Sequence, residues 1–203
     1  ANTIVIPFIN CSPSGALRRP DVPVAEEVWI KKFLDCGASG IIAPQVNSPE
    51  QAAQVVSWTR YAPEGTRGVG LGRAHGYGVS FGDYVQRAND EIACVIQVEH
   101  IDAVHCVEET VKVPGVDCIL LGPYDLSASM GKMGQVGDPE VISAIEHVTQ
   151  VCQSAGMPLG YFGVSAGDIK PYVDQGYTLV VAATDTIFLA SGARHFLNQL
   201  QGE

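Results

Sequence analysis

Six apolar runs in the chain are almost uninterrupted, and this pattern limits the possible folds more than any other feature. Within the runs, apolar residues follow one another instead of alternating with polar ones, which is typical of strands covered on both faces, as in parallel sheets. Stretches with helical periodicity separate them, so the alternation predicts a parallel α/β fold, either an open doubly wound sheet or a closed barrel. The runs lie at residues 3–9, 39–46, 93–99, 117–122, 158–162 and 178–184.

Two of the helical stretches carry clear boundary signals. Ser48 precedes Pro49, which predicts an N-cap followed by proline at the first helical position. Asp138 and Pro139 repeat this arrangement, and Gly156 is placed to end the second helix. The other helical patterns cover 24–38, 102–117, 168–176 and 187–200.

The segment after the first strand helps to distinguish an open sheet from a barrel, because dinucleotide-binding open sheets carry a glycine motif there. No G-x-G-x-x-G follows it, and the nearest match, GVGLGR at 68–73, has neither a strong preceding strand nor an acid about 20 residues later. The sequence therefore favours a TIM-type (β/α)8 barrel, with residues 1–203 as a single domain. Only about six strands are recognisable where a barrel needs eight, so the barrel is expected to be incomplete as given.

Composition and charge exclude several classes of protein. The formal charge is −10, from 22 acidic and 12 basic residues, and no Lys/Arg cluster follows a helix face, so no nucleic-acid partner is expected. No apolar stretch reaches 18 residues, so no membrane span is expected either. The six cysteines form no Cys-x-x-Cys pair and several lie in apolar patterns, which favours buried reduced thiols and a cytoplasmic protein.

Two predicted neighbouring strands lead into carboxylates. Glu99 ends the third run, and Asp125 follows the fourth one after Gly122-Pro123. Barrel enzymes carry their chemistry at the carboxyl ends of strands, and Gln97 lies on the same side of its strand as Glu99. Such an oxygen-rich set suits a hard divalent cation. The alternative is that both acids cap the helices that follow.

The residues around Asp125 are similar to those of a known family. GPYDLSASMG at 122–131, DPEV at 138–141 and QVE at 97–99 together resemble the HpcH/HpaI aldolases, class II pyruvate aldolases related to citrate lyase. The resemblance runs from about residue 23 to 203. It also includes the stretches at 28–52, 60–78 and 176–189.

This resemblance implies a metal-dependent site. Glu99 and Asp125 would bind Mg²⁺, or alternatively Mn²⁺ or Co²⁺, and pyruvate would chelate the ion through its keto and carboxylate oxygens. Gly122 and Pro123 would bring the backbone close to the keto acid. The ion would stabilise the enolate formed when a bond to an aldehyde is made or broken, without a lysine Schiff base.

The resemblance also assigns roles to other side chains. Gln97 matches a glutamine near the pyruvate, and Ser127 matches the serine of the motif, although a turn or capping serine is an equally good interpretation. Arg73 matches a loop arginine that would bind the acceptor or a carboxylate. Asp35 matches an acid that assists the catalytic base, with a simple helix C-terminal acid as the alternative. His75, in the glycine-rich RAHGYG segment, is a candidate acid or base at the mouth of the site.

Residues 1–22 depart from the family pattern. The histidine base and the arginine that holds the keto acid are not found in position. Arg18 and Arg19 are the nearest candidates for that arginine, but solvated loop arginines are the favoured interpretation. About two strands are missing, which predicts either a longer chain or a barrel completed by a neighbour. His100 is expected to start a helix or to support a metal ligand from behind, rather than to bind the metal itself.

Three functions follow from these patterns. The leading one is a divalent-metal pyruvate aldolase that cleaves a 2-keto-4-hydroxy acid into a keto acid and an aldehyde. A lyase acting on a CoA thioester or a citrate-like acid is the second, although few basic residues are available for CoA phosphates. The third is a homologue that binds metal and keto acid without turnover. The family and the apolar C-terminal helix imply a homo-oligomer, a trimer or a hexamer.

Overall fold

The fold is that of a computed structural model, which describes residues 4–7 and 22–202. These residues form two compact units. The larger unit comprises 22–159, and the smaller one comprises 4–7 and 160–202. Arg18 and Arg19, the candidates for a keto-acid arginine, lie outside the described residues.

The larger unit alternates strands with helices. In chain order it contains α1 (Glu27–Asp35), β2 (Gly40–Ala43), α2 (Pro49–Thr59), a 3₁₀ segment (Arg73–Gly78), α3 (Phe81–Glu91), β3 (Ala93–Val98), α4 (Ile101–His105), α5 (Val107–Thr110), β4 (Cys118–Leu121), α6 (Pro123–Ser129) and α7 (Pro139–Ala155). The sequence pattern predicted this alternation.

Strands β2, β3 and β4 pair in parallel, with β3 between the other two. Every residue of β2 and of β4 is buried, which confirms that their continuous apolar runs mark strands covered on both faces. In a parallel sheet the carboxyl ends of the strands meet at one edge. Residues that follow β2, β3 and β4 are therefore brought together in space.

The helix boundaries predicted from Ser48, Asp138 and Gly156 are confirmed, whereas the stretch at 102–117 forms two short helices, α4 and α5, separated at Cys106. Ser48 is the N-cap of α2, and its hydroxyl accepts a hydrogen bond from the backbone N–H of Gln51. Asp138 caps α7 in the same way, and Gly156 ends α7 in the left-handed conformation, with φ of 68°.

Three helical segments lie outside the predicted ones: α3, α6 and the 3₁₀ segment. Helix α3 carries Phe81, Tyr84, Val85 and Ala88 at helical spacing, so its apolar stripe was present in the sequence and was overlooked. Helix α6 spans seven residues and begins at Pro123, which makes its sequence indistinguishable from a turn. Tyr77 in the 3₁₀ segment has a φ of 56°, a conformation that sequence patterns seldom reveal in a non-glycine residue.

The smaller unit contains β1 (Ile4–Pro7), all but the first residue of β5 (Leu159–Gly163), α8 (Ala166–Asp174), β6 (Leu179–Ala182) and α9 (Asp185–Gln201). Strand β6 pairs in parallel with both β1 and β5. Helix α8 starts with a capping box between Ser165 and Asp168. None of the helices in the described ranges has the length and apolar character that crossing a bilayer requires.

The cysteines of the described residues are all free thiols. Cys94, Cys118 and Cys152 are buried, as expected, whereas Cys36 is exposed at the end of α1. Burial raises the pKa of the Cys94 and Cys152 thiols to about 12, so both stay protonated at neutral pH. These two thiols are therefore unsuited to nucleophilic chemistry.

Candidate functional site

The strand ends place Glu99 beside Gly122. Val98 is paired with Leu121 in the parallel register of β3 and β4, so Glu99 and Gly122 occupy the next pair of positions. The backbone N–H of Gly122 donates to the carbonyl of Val98 at 3.1 Å. The two predicted neighbouring strands are thus neighbours, and the segments carrying the two acids leave the sheet side by side.

Glu99 presents a buried carboxylate that is held at both oxygens. The residue is 3% exposed. Its Oε1 accepts a hydrogen bond from the backbone N–H of Gln45 at 2.9 Å, and its Oε2 accepts one from Nε2 of Gln97 at 2.5 Å. Since an unpaired buried charge is costly, these two donors offset part of the desolvation. They also fix the orientation of the carboxylate.

Gln45 provides its donor from an unusual backbone conformation. It follows β2, its side chain is exposed, and its φ is 53°. A non-glycine residue in this left-handed region is strained by roughly 1–2 kcal/mol. This strained turn aims the Gln45 N–H at the Glu99 carboxylate.

Gly122 leaves no room for a side chain. A Cβ on this residue would lie 2.9 Å from Nε2 of Gln97 and 2.9 Å from both Cβ and Oε2 of Glu99. Only glycine therefore allows the end of β4 to approach the carboxylate this closely. The close approach explains the glycine at position 122, and Pro123 then takes the first position of α6.

The capping alternative for the two acids is wrong. The N-cap of α6 is Gly122, and Asp125 is the third residue of that helix. The N-cap of α4 is His100, whose Nδ1 accepts a hydrogen bond from the N–H of Asp102 at 3.1 Å. The helix-start role predicted for His100 is confirmed, and neither Glu99 nor Asp125 is needed to cap a helix.

Asp125 is exposed, and its carboxylate has no hydrogen bond or ion pair among the described residues. Its position in the first turn of α6 is favourable for a negative charge because of the helix dipole. Pro123, at the first position of α6, is buried. The carboxylate of Asp125 is thus available to bind a ligand from solvent.

Ser127 is fully buried in α6 and uses its hydroxyl within the protein. Its Oγ donates to the carbonyl of Tyr124 at 2.6 Å and accepts from the backbone N–H of Gly134 at 3.1 Å. The hydroxyl therefore ties α6 to the loop that follows it, as the turn interpretation expected. A role of Ser127 in substrate binding stays a prediction.

The side chains at this edge of the sheet are of the chemical type that hard divalent cations prefer. Two carboxylates leave most positions around Mg²⁺ for water and substrate oxygens, which is its usual arrangement in enzymes. The Oε1 atom of Gln97 is buried without a hydrogen-bond partner in the described structure, which leaves one acceptor for a bound ligand or water. Within residues 4–7 and 22–202, no three His, Cys, Asp or Glu side chains converge into a fuller metal cage.

Asp35 belongs to a second cluster, in which it forms a part-buried ion pair with a buried arginine. Its Oδ1 accepts a hydrogen bond from Arg67 at 3.1 Å, and its Oδ2 pairs with Lys31. Arg67 is 4% exposed; its guanidinium lies 4.5 Å from the ring centroid of Tyr61 and donates to the hydroxyl of Tyr84 at 3.2 Å. Asp35 thus neutralises a buried arginine, a role its helix-end position did not reveal.

His75 is 1% exposed and holds the glycine-rich loop with both ring nitrogens. Nδ1 accepts from the N–H of Gly78 at 3.0 Å, while Nε2 lies 2.7 Å from the carbonyl oxygen of Gly70 and 3.3 Å from the backbone nitrogen of Gly72. The ring also packs edge-on against Phe81. A catalytic role for His75 stays a prediction, and it would require the ring to release one of these partners.

Arg73 starts the 3₁₀ segment and is exposed. The loop before it is tightly packed on α1, because a Cβ on Gly72 would lie 2.5 Å from the carbonyl oxygen of Asp35. Arg73 is therefore presented to solvent by a firmly anchored loop. Its contact with an acceptor stays a prediction.

Sequence reasoning missed Gln45 and Arg67. Gln45 contributes a backbone N–H from a left-handed turn, and no residue pattern identifies such a donor. Arg67 lies in the GTRGVG stretch, and the one feature that could have drawn attention to it is an arginine isolated among glycines.

Comparisons with known proteins agree on one family. The profile of the HpcH/HpaI aldolase/citrate lyase family matches residues 15–191. A 2-dehydro-3,6-dideoxy-6-sulfogluconate aldolase of Pseudomonas putida is 35% identical over 98% of this chain and 77% of its own length. A hydroxypyruvate/pyruvate aldolase of Deinococcus radiodurans is 40% identical over 90% of this chain and 65% of its own length.

A solved structure agrees with these sequence relatives. The crystal structure of an HpcH/HpaI aldolase/citrate lyase family protein from Burkholderia cenocepacia matches with a TM-score of 0.84 and 34% identity. The match covers 89% of this chain and 72% of that one. The chain thus spans between about two thirds and three quarters of the length of these three relatives.

Proposed function

This chain belongs to the HpcH/HpaI aldolase/citrate lyase family and is an aldolase or lyase enzyme, and from that premise we propose that it joins pyruvate to an aldehyde, or cleaves the product. The substrate in the cleavage direction is a 2-keto-4-hydroxy acid. The observation that carries the proposal is the buried Glu99 carboxylate, oriented by two donors beside the segment that bears Asp125. Relatives named as hydroxypyruvate/pyruvate aldolases support the choice of keto acid.

Glu99 and Asp125 would hold a divalent cation of the Mg²⁺, Mn²⁺ or Co²⁺ type. Such an ion, when bound, supplies Lewis-acid stabilisation for the negative charge that develops on the keto oxygen of pyruvate. The carboxylate of Glu99 accepts from both Gln45 and Gln97, so both of its oxygens are oriented for such an ion.

The residues around Glu99 prepare the site before substrate arrives. The donors of Gln45 and Gln97 fix the carboxylate in one orientation, so little reorganisation is needed when charge develops. The missing side chain at Gly122 keeps the backbone of β4 close to this carboxylate. We assign Gly122, Pro123 and Gln97 to the binding of the keto acid, with Ser127 supporting them from within α6.

The aldehyde is expected to meet the glycine-rich loop. Arg73 is exposed on that loop and would attract a carboxylate or another anionic group on the acceptor. Asp35 and His75 hold the loop from inside through Arg67 and the loop backbone. Proton transfer by Asp35 or His75 remains part of the proposal, subordinate to this anchoring role.

A coupled assay tests the proposal directly. The protein, freed of metal by chelation and then supplied with Mn²⁺ or Mg²⁺, is mixed with a 2-keto-4-hydroxy acid, and released pyruvate is followed with lactate dehydrogenase and NADH. We expect pyruvate release that requires the added ion and stops again on addition of EDTA.

Two outcomes of the assay would contradict the proposal. Turnover of a citrate-like acid or a CoA thioester in place of the keto acid would favour the lyase alternative. Binding of Mn²⁺ and pyruvate without release or formation of a C–C bond, across aldehydes of different charge, would favour the homologue without turnover.

We further propose that the protein is a homo-oligomer with the (β/α)8 barrel as its subunit fold. Helix α9 has no buried residue, and its large apolar side chains are exposed, which is unusual for a helix without a partner. These side chains belong to Ile187, Phe188, Leu189, Phe196, Leu197 and Leu200.

Light scattering during gel filtration measures the mass of the assembly. We expect three or six times the 21.5 kDa of the chain. A particle with the mass of one chain would contradict the proposed oligomer.

A further inference from the structure

One hydroxyl joins the two segments that carry the site acids. The Oγ of Ser129 accepts a hydrogen bond from the backbone N–H of Ile101 at 3.0 Å and donates to the carbonyl of Leu126 at 2.7 Å. Ile101 lies two residues after Glu99, and Leu126 directly follows Asp125. The hydroxyl therefore bridges the end of β3 and helix α6.

The bridge satisfies a donor that helix geometry leaves without a partner. Ile101 is the first residue of α4, and the first N–H groups of a helix have no intrahelical acceptor. The cap of α4, His100, accepts from Asp102 and not from Ile101. Ser129, at the last position of α6, supplies the acceptor that Ile101 needs.

The two serines of α6 form hydrogen bonds with different segments of the chain. Ser127 connects α6 to Gly134, in the loop that follows the helix. Ser129 connects α6 backwards to Ile101, next to the strand that ends at Glu99. Asp125 lies on a short helix whose attachment to β3 on this side depends on Ser129.

We propose that Ser129 is a positioning residue that sets the separation of the Glu99 and Asp125 carboxylates for cation binding. The inference rests on the proposed function, since it assigns the cation to these two acids. Metal sites lose affinity when the groups that orient their ligands are removed, typically by about 10–100-fold. Ser129 acts through the backbone, so the lower end of that range is expected.

Calorimetric titration with Mn²⁺ alone measures this effect without any turnover. We expect Ser129→Ala to raise the Kd for Mn²⁺ about tenfold. Ser129→Thr retains the hydroxyl, which can still bond a carbonyl in the preceding turn, and should restore the affinity. Ser165→Ala is the matched control, because it removes a serine hydroxyl that caps α8 and should leave the Kd unchanged.

A second variant removes the other half of the same hydrogen bond. Ile101→Pro deletes the N–H, and proline is well suited to the first position of a helix. The preceding residue, His100, already has the extended backbone that a following proline requires, with φ −136° and ψ 147°. Ile101→Pro should weaken Mn²⁺ binding as Ser129→Ala does, and the double variant should be no weaker than either.

The outcomes separate this inference from the function on which it rests. Wild-type protein that takes up no Mn²⁺ would overturn both. Wild-type uptake that depends on Glu99 and Asp125, combined with an unchanged Kd in Ser129→Ala and in Ile101→Pro, would overturn only the positioning role. A thermal shift in Ser129→Ala without a change in Kd would likewise mark the hydroxyl as purely structural.

Discussion

The variant Asp125→Ala is expected to lose metal-dependent turnover while remaining folded. A cation contributes several kcal/mol to transition-state stabilisation, and a loss of about 4 kcal/mol corresponds to a decrease in kcat/KM of about 10³-fold. Asp125 is exposed and has no hydrogen bond among the described residues, so the free energy of unfolding should change by less than about 0.5 kcal/mol. Pyruvate release and Mn²⁺ titration measure the two losses, and urea unfolding measures stability.

Asp83→Ala provides the control for this experiment. Asp83 is the third residue of α3, as Asp125 is of α6, and both are exposed acids in the first turn of a helix. The two substitutions therefore remove the same interaction with a helix dipole. Equal activity of the Asp125 and Asp83 variants would contradict the assignment of Asp125 to the metal.

Gly122→Ala is expected to lower kcat/KM about 100-fold, because displacements of about 1 Å at a reacting centre have effects of that size. The new methyl group would lie 2.9 Å from Glu99 Cβ, an atom joined directly to the backbone, so relief requires movement of the carboxylate or of β4. Overpacking of this kind also destabilises proteins by about 1–3 kcal/mol. Activity should therefore be measured well below the unfolding temperature of the variant, with steady-state kinetics at saturating Mn²⁺.

Gly137→Ala tests the same chemical change where the structure has space. A Cβ at Gly137 would meet no atom within 4 Å, and its φ lies outside the left-handed region. Both stability and kcat/KM should stay at the wild-type values. If Gly122→Ala behaves like Gly137→Ala, the close approach of β4 to Glu99 does not matter for function.

The strands and most helices could be predicted because the burial of their faces determines the spacing of apolar residues in the sequence. The runs of β2 and β4 are buried along their whole length, and Ser48 and Asp138 cap helices as their positions indicated. The neighbouring positions of Glu99 and Gly122 also followed from the sequence, since parallel strands end at one edge of a sheet.

The remaining features depend on contacts between distant residues. The donor from Gln45 to Glu99 spans 54 positions, and the ion pair of Arg67 with Asp35 spans 32. Neither contact produces a periodic pattern in the sequence. The left-handed φ of Gln45 could not be predicted either, because glutamine seldom adopts it. The side chain of His75 was expected at the mouth of the site, yet it is buried within its own loop.

In the glycine-rich loop, packed and exposed residues alternate along the chain. Gly70 and Gly72 face Asp35 and leave no space for a Cβ, whereas Val69 and Leu71 between them are 61% and 70% exposed. Residues that anchor the loop are thus distinct from residues that it displays. Under the proposed function, a combinatorial library at Val69, Leu71 and Arg73 should sample new aldehyde selectivities, because none of these three side chains anchors the loop.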